Sequence, residues 1–186
     1  MLKKLLFSFG ILFLFSKCYA QGEHKVKLGL GTSNGFNSNG ENFFSSPAYD
    51  ISYLYTNKLL GNLSYAIGTG LQRVSVSDEY KSKDIEGQHR VYIKSGLVYA
   101  IFPKLTIGSS LRASWFFSNH YGDQHEYLFW GGDVNAAYSL TERFSLGLSY
   151  YRDFSHSFSH SKQSETSYYK VNYYGQNFML DIAYKF

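Results

Sequence analysis

Apolar and polar residues alternate with period two along almost the whole sequence, and beyond the first twenty residues no stretch stays apolar for long. A membrane helix needs ~20 apolar residues in a row, so strands, not helices, are what this chain can build. The alternation predicts eight of them, over residues 24–32, 48–56, 62–76, 88–101, 105–117, 127–140, 144–154 and 168–186. One parity collects large apolar side chains: Leu28 and Leu30, Ile51 and Tyr53, Ile67 and Leu71, Ile93 and Leu97. The later strands repeat it with Ile107 and Leu111, Trp130 and Val134, Leu146 and Leu148. The other parity is small or polar and includes Gly29, Gly31, Gly68, Gly70, Gly96, Gly108, Gly131 and Gly147.

Alternation alone does not say which face turns inward. A soluble barrel would bury the apolar set, with Leu28, Ile67 and Leu148 inside. The polar parity, however, also carries Lys27, Asp50, Arg90, Lys94, Arg112, Asp133, Asp153 and Asp181 among its glycines. Such a surface packs nothing as an outer face, but it fits the narrow interior of a small barrel whose apolar face meets lipid. The links near 33–47, 77–87, 118–126 and 155–167 are long and polar, whereas those near 57–61, 102–104 and 141–143 are tight. Transmembrane barrels alternate short periplasmic turns with long external loops in this way. Lipid tolerates no open sheet edge, so first and last strands must pair. The expectation is an all-β fold: a closed eight-stranded antiparallel up-and-down transmembrane β-barrel.

The two ends add an address. Lys3 and Lys4 precede an apolar run from Leu5 to Phe15, and Ala20 precedes Gln21, the pattern of a cleaved secretory signal over 1–20 with a barrel domain over 21–186. Cys18 suggests a lipid anchor, but Lys17 stands where lipoprotein signals carry a small residue. Cleavage after Ala20 removes that cysteine, and with it disulfide and thiol chemistry. It also removes Lys3, Lys4 and Lys17 from the 18 Lys and Arg, leaving 15 against 14 Asp and Glu. A nearly neutral mature chain gives nucleic acid no reason to bind.

The last strand sets Tyr174, Phe178, Leu180, Ile182, Tyr184 and Phe186 on one parity and ends on an aromatic residue. Here the chain resembles the OmpX-like and OmpA-barrel-like outer-membrane families. The resemblance implies a monomer in the bacterial outer membrane with both termini in the periplasm. It also implies that this strand addresses the barrel assembly machinery, and that outer-membrane lipids are the surroundings.

Within the barrel, Lys94, Arg112, Asp133 and Asp153 are expected to form a lumen network, since charges withdrawn from water need partners. A hairpin centred on residues 122 and 123 would set Arg112 opposite Asp133 and Trp115 opposite Trp130. Trp115 and Trp130 would anchor the outer interface, and Tyr184 and Phe186 the periplasmic one. His120, His125, His156 and His160 fall in long loops without a spacing that aims two rings at one metal, so no metal or cofactor is expected. Asp153, Ser155, His156, Ser157 and His160 superficially resemble the acid, base and nucleophile of lipid A deacylases. Those enzymes carry His-x-Ser, which this chain lacks, and no catalytic residue is assigned. Gly29 and Gly31 open a G-x-G pattern, but Asn34 stands at the third glycine position and no helix follows. Three functions result: a structural or surface-interaction barrel, whose loops with Phe36, Asn37, Asn39, Asn42, Phe43 and Phe44 suit adhesion to surface or envelope partners; a lipid A-modifying enzyme; and a soluble ligand-binding barrel.

Overall fold

The alternating segments become strands because each pairs its backbone with a neighbour while sorting its side chains between two environments. The computed structural model describes residues 22–37, 42–74, 88–117, 128–154, 158–164 and 167–186; the signal segment and its proposed cleavage site lie outside them. The strands are β1 (Glu23–Asn37), β2 (Asn42–Leu60), β3 (Leu63–Val74), β4 (Gln88–Phe102), β5 (Leu105–Phe117), β6 (Leu128–Ser139), β7 (Phe144–Asp153), β8 (Phe158–Ser164) and β9 (Ser167–Lys185). All neighbours are antiparallel. β1 to β7 follow in order, β9 pairs with both β7 and β1, and the eight strands close into a barrel.

The described residues thus contain one strand more than the periodicity suggests. β8 is short and pairs only with the first part of β9, beyond the last β7 partner. β1 and β2 likewise remain paired as far as Phe36 and Asn42, so much of the expected long link at 33–47 is strand. The reason is physical: antiparallel pairing needs only backbone groups, so the ladder continues although the side-chain alternation fades.

Tight turns close the opposite end. Gly61 has φ 55°, a left-handed conformation that side-chain-bearing residues adopt at a cost. At the β6–β7 turn, Thr141 Oγ1 accepts from the amides of Arg143 (3.2 Å) and Phe144 (3.0 Å). The circuit of partners from Glu23 runs through Thr56, Ala66, Gly96, Ser110, Asp133, Tyr151 and Asn177 back to β1 at Ser33. That stagger of ten residues requires the strands to tilt against the barrel axis.

The faces sort as the charges demand. Leu28, Ile67 and Leu148 are 54%, 48% and 65% exposed, so they point outward and the soluble-barrel arrangement is excluded. The buried set is dominated by polar and charged side chains of the opposite parity. Towards the long-connection end the interior is tightly filled, with Arg90, Tyr92, Arg112, Ser114, Phe129, Tyr151 and Asp153 all buried. Towards the tight turns the inward residues, such as Gly96, Gly108, Asn135, Gly147 and Ser149, are smaller and only half-buried.

Candidate functional site

The filled half of the lumen concentrates the chemistry of the described residues. Lys94 on β4 reaches across to Asp133 on β6, Nζ to Oδ2 3.2 Å, and Ser110 on the intervening β5 donates to Asp133 Oδ1 at 2.7 Å. Arg112 lies between two aromatic faces, its guanidinium carbon 3.6 Å from the Tyr92 ring centre and 4.3 Å from that of Tyr151. Its Nη2 donates to Gln72 Oε1 at 2.7 Å and its Nε to Ser114 Oγ at 3.1 Å. Tyr92 turns its hydroxyl the other way, to both oxygens of Asp50 at 3.0 and 2.8 Å. Asp153 receives Arg90 Nη1 at 3.4 Å, the Tyr151 hydroxyl and the Gly175 amide at 3.0 Å. Lys27 and Asp181 form a further pair at 3.1 Å. Four cations thus stand with four carboxylates, and low polarity strengthens every one of these contacts.

Lys94, Arg112, Asp133 and Asp153 are all buried, and their partners differ from the expected Arg112–Asp133 pairing. Asp133 stands opposite Ser110, and Arg112 opposite Gly131, so the β5–β6 register differs by two residues from the symmetric hairpin. Trp130 faces Ala113 and Trp115 faces Leu128, so the two indoles are not direct partners. A two-residue slip preserves the face of every side chain, so alternation fixes this register only to within a multiple of two. Arg112 and Asp133 therefore do not pair; Lys94 takes the carboxylate, and Arg90 takes Asp153. Tyr92 and Tyr151 were not anticipated at all. Their signal was present: each is a large aromatic on the parity otherwise reserved for small or polar groups.

On the outside, aromatic rings line the tight-turn end from β7 across β9, β1 and β2 to β3. Phe144 lies 5.1 Å from Tyr184, Tyr184 6.5 Å from Phe186, Phe186 6.1 Å from His24, and His24 5.1 Å from Tyr55, which continues to Tyr65 at 6.0 Å. His24 Nδ1 also hydrogen-bonds the Tyr53 hydroxyl. This line crosses the closing seam, where the Phe186 amide donates to the His24 carbonyl at 3.1 Å. Trp115, half-buried, and Trp130, exposed, lie at the other end.

Of the deacylase-like segment, only Asp153 among the named polar residues has a described side chain. That carboxylate is buried and already held by three donors, and residues 155–157 together with the His160 side chain lie outside the described residues. His120 and His125 lie outside them too. Among the described residues no group of three or more His, Cys, Asp or Glu could hold a metal.

A closed antiparallel barrel with an apolar belt outside and ions within defines a transmembrane β-barrel of the bacterial outer membrane. Residues 5–186 match one family model, and the chain belongs to that family, described as "Putative MetA-pathway of phenol degradation". Among solved structures it is similar to the attachment invasion locus protein Ail of Yersinia pestis, with 11% identity over 89% of this chain and 99% of that one and a TM-score of 0.55. Neisserial surface protein A shares 12% identity over 88% and 97% of the two chains, with a TM-score of 0.51. A major outer membrane protein of Thermus thermophilus shares 15% over 89% and 99%, also at 0.51. At such identities the likeness is one of fold. No curated protein matches the sequence.

Proposed function

We propose that the mature chain, residues 21–186 after loss of the 1–20 signal, is a monomeric, noncatalytic outer-membrane barrel whose lumen is a structural plug and whose long-connection end meets other molecules. The observation that carries this reading is the buried, charge-balanced layer of Asp50, Arg90, Tyr92, Lys94, Arg112, Asp133 and Asp153 across the interior. Eight strands leave no wide channel, and Lys27, Arg90 and Lys94 are each held by a carboxylate within the lumen. Trp115 and Trp130 on one side and Tyr184 and Phe186 on the other act as girdle anchors at the two membrane interfaces. Short turns are the periplasmic feature of such barrels, so both termini lie in the periplasm, where the final strand engages the assembly machinery. What remains for interaction is the opposite end, and the names of Ail and the Neisserial surface protein support a role in surface contact.

The test uses the full-length protein on cells. Replacing residues 75–87 and 118–127 by two-residue Asn-Gly turns is expected to leave a heat-modifiable, membrane-inserted barrel but to abolish adhesion of expressing cells to immobilised extracellular matrix. Unchanged adhesion would remove the surface-contact role. In parallel, purified protein is expected to carry no current in planar bilayers, and lipid A from expressing cells to keep its mass; an altered acyl count would restore the enzyme reading.

A further inference from the structure

The tight-turn end repeats one combination. Each of its three turns sets an exposed cation beside an exposed large apolar side chain: Lys58 with Leu60, Lys104 with Phe102, and Arg143 with Leu140. Leu60 is 80% exposed and Phe102 63%. Turn residues this apolar are poorly placed in open water, where nothing offsets their hydration. Beside a positive charge they match the boundary between acyl chains and headgroups, where long basic side chains keep their stems in the apolar layer and their charge among phosphates. The aromatic line from Phe144 through Tyr184 and Phe186 to His24 fixes the depth of this end, and Arg143 Nη1 is tied to it through the Tyr184 hydroxyl at 3.4 Å. The acids do not cancel the cations. Glu23 is engaged by Lys25 at 3.0 Å and Lys185 at 3.3 Å, which leaves Glu142 as the one turn acid among the described residues.

We propose that the three turns form a ring that recruits phospholipids with anionic headgroups. A phosphatidylglycerol-type lipid brings one uncompensated phosphate to each cation, with its acyl chains against Leu60, Phe102 or Leu140. A zwitterionic lipid brings its own ammonium or choline group and is not selected. Each basic residue near a charged lipid surface contributes ~1 kcal/mol, equivalent to about fivefold in local occupancy.

The test reconstitutes the mature barrel in phosphatidylcholine vesicles doped with a phosphatidylglycerol that carries a photoreactive headgroup, and maps crosslinked peptides by mass spectrometry. Crosslinks are expected at all three turns, stronger than those from a matching photoreactive phosphatidylcholine. In K58Q/K104Q/R143Q they should fall about fivefold at each turn, and K58R/K104R/R143K should retain them. The single variant K104Q, confined to one turn and safe for folding, should lose labelling at its own turn only. Equal labelling by the two lipids overturns the proposal, as does labelling at the β4–β5 turn that K104Q leaves unchanged.

Discussion

Asp133 is held from two strands, by Lys94 at 3.2 Å and Ser110 at 2.7 Å, with water largely excluded. Asp133→Ala strands a buried cation and is expected to destabilise the barrel by about 3–5 kcal/mol. The double variant Lys94→Met, Asp133→Leu removes both charges and should lie much closer to the parent. Urea unfolding in lipid vesicles compares them, and a double variant as unstable as the single would mean that ion pairing is not what Asp133 supplies. Arg112 differs in having aromatic faces and an amide as partners in place of a carboxylate. Tyr92 joins that cation to Asp50, so Tyr92→Phe keeps the ring under Arg112 but deprives the carboxylate of its donor, for about 1–3 kcal/mol. These partnerships were hidden in the sequence because charge and parity tell which residues share the lumen, not which of several neighbours a long side chain chooses.

The strands themselves were legible. All eight barrel strands fall on the segments that period two marks, and all but β1 and β2 agree with the marked bounds to within two residues, since a lipid-facing side chain and a lumen-facing one cannot exchange places. What escaped was everything indifferent to that sorting: the β8 arm, the added length of β1 and β2, and the β5–β6 register. The register is open to direct measurement on lipid-facing positions. With cysteines at Trp130 and Ala113, a short bifunctional thiol reagent should link the strands efficiently, whereas cysteines at Trp130 and Trp115 should react slowly. The reverse order would restore the symmetric hairpin.

For the molecule as a whole, the apolar belt decides where it lives. Leu148 is 65% exposed on the outer face of β7, between Ala136 of β6 and Leu180 of β9. Leu148→Lys is therefore expected to lose about 2–4 kcal/mol of stability in bilayers. In short-chain detergent, where a charge finds water more readily, the loss should be smaller; equal losses in both would deny that this face meets the hydrocarbon. The interior has its own consequence on this scale. Lys27, Arg90, Lys94 and Arg112 are matched in number by Asp50, Asp133, Asp153 and Asp181, so the membrane-embedded cylinder contains as much positive as negative charge among these groups. An electric potential across the bilayer exerts almost no net force on such a body, because electrical work scales with the charge that moves. Among these described groups, voltage does work only by pulling a cation away from the partners that hold it, which makes this layer electrically quiet.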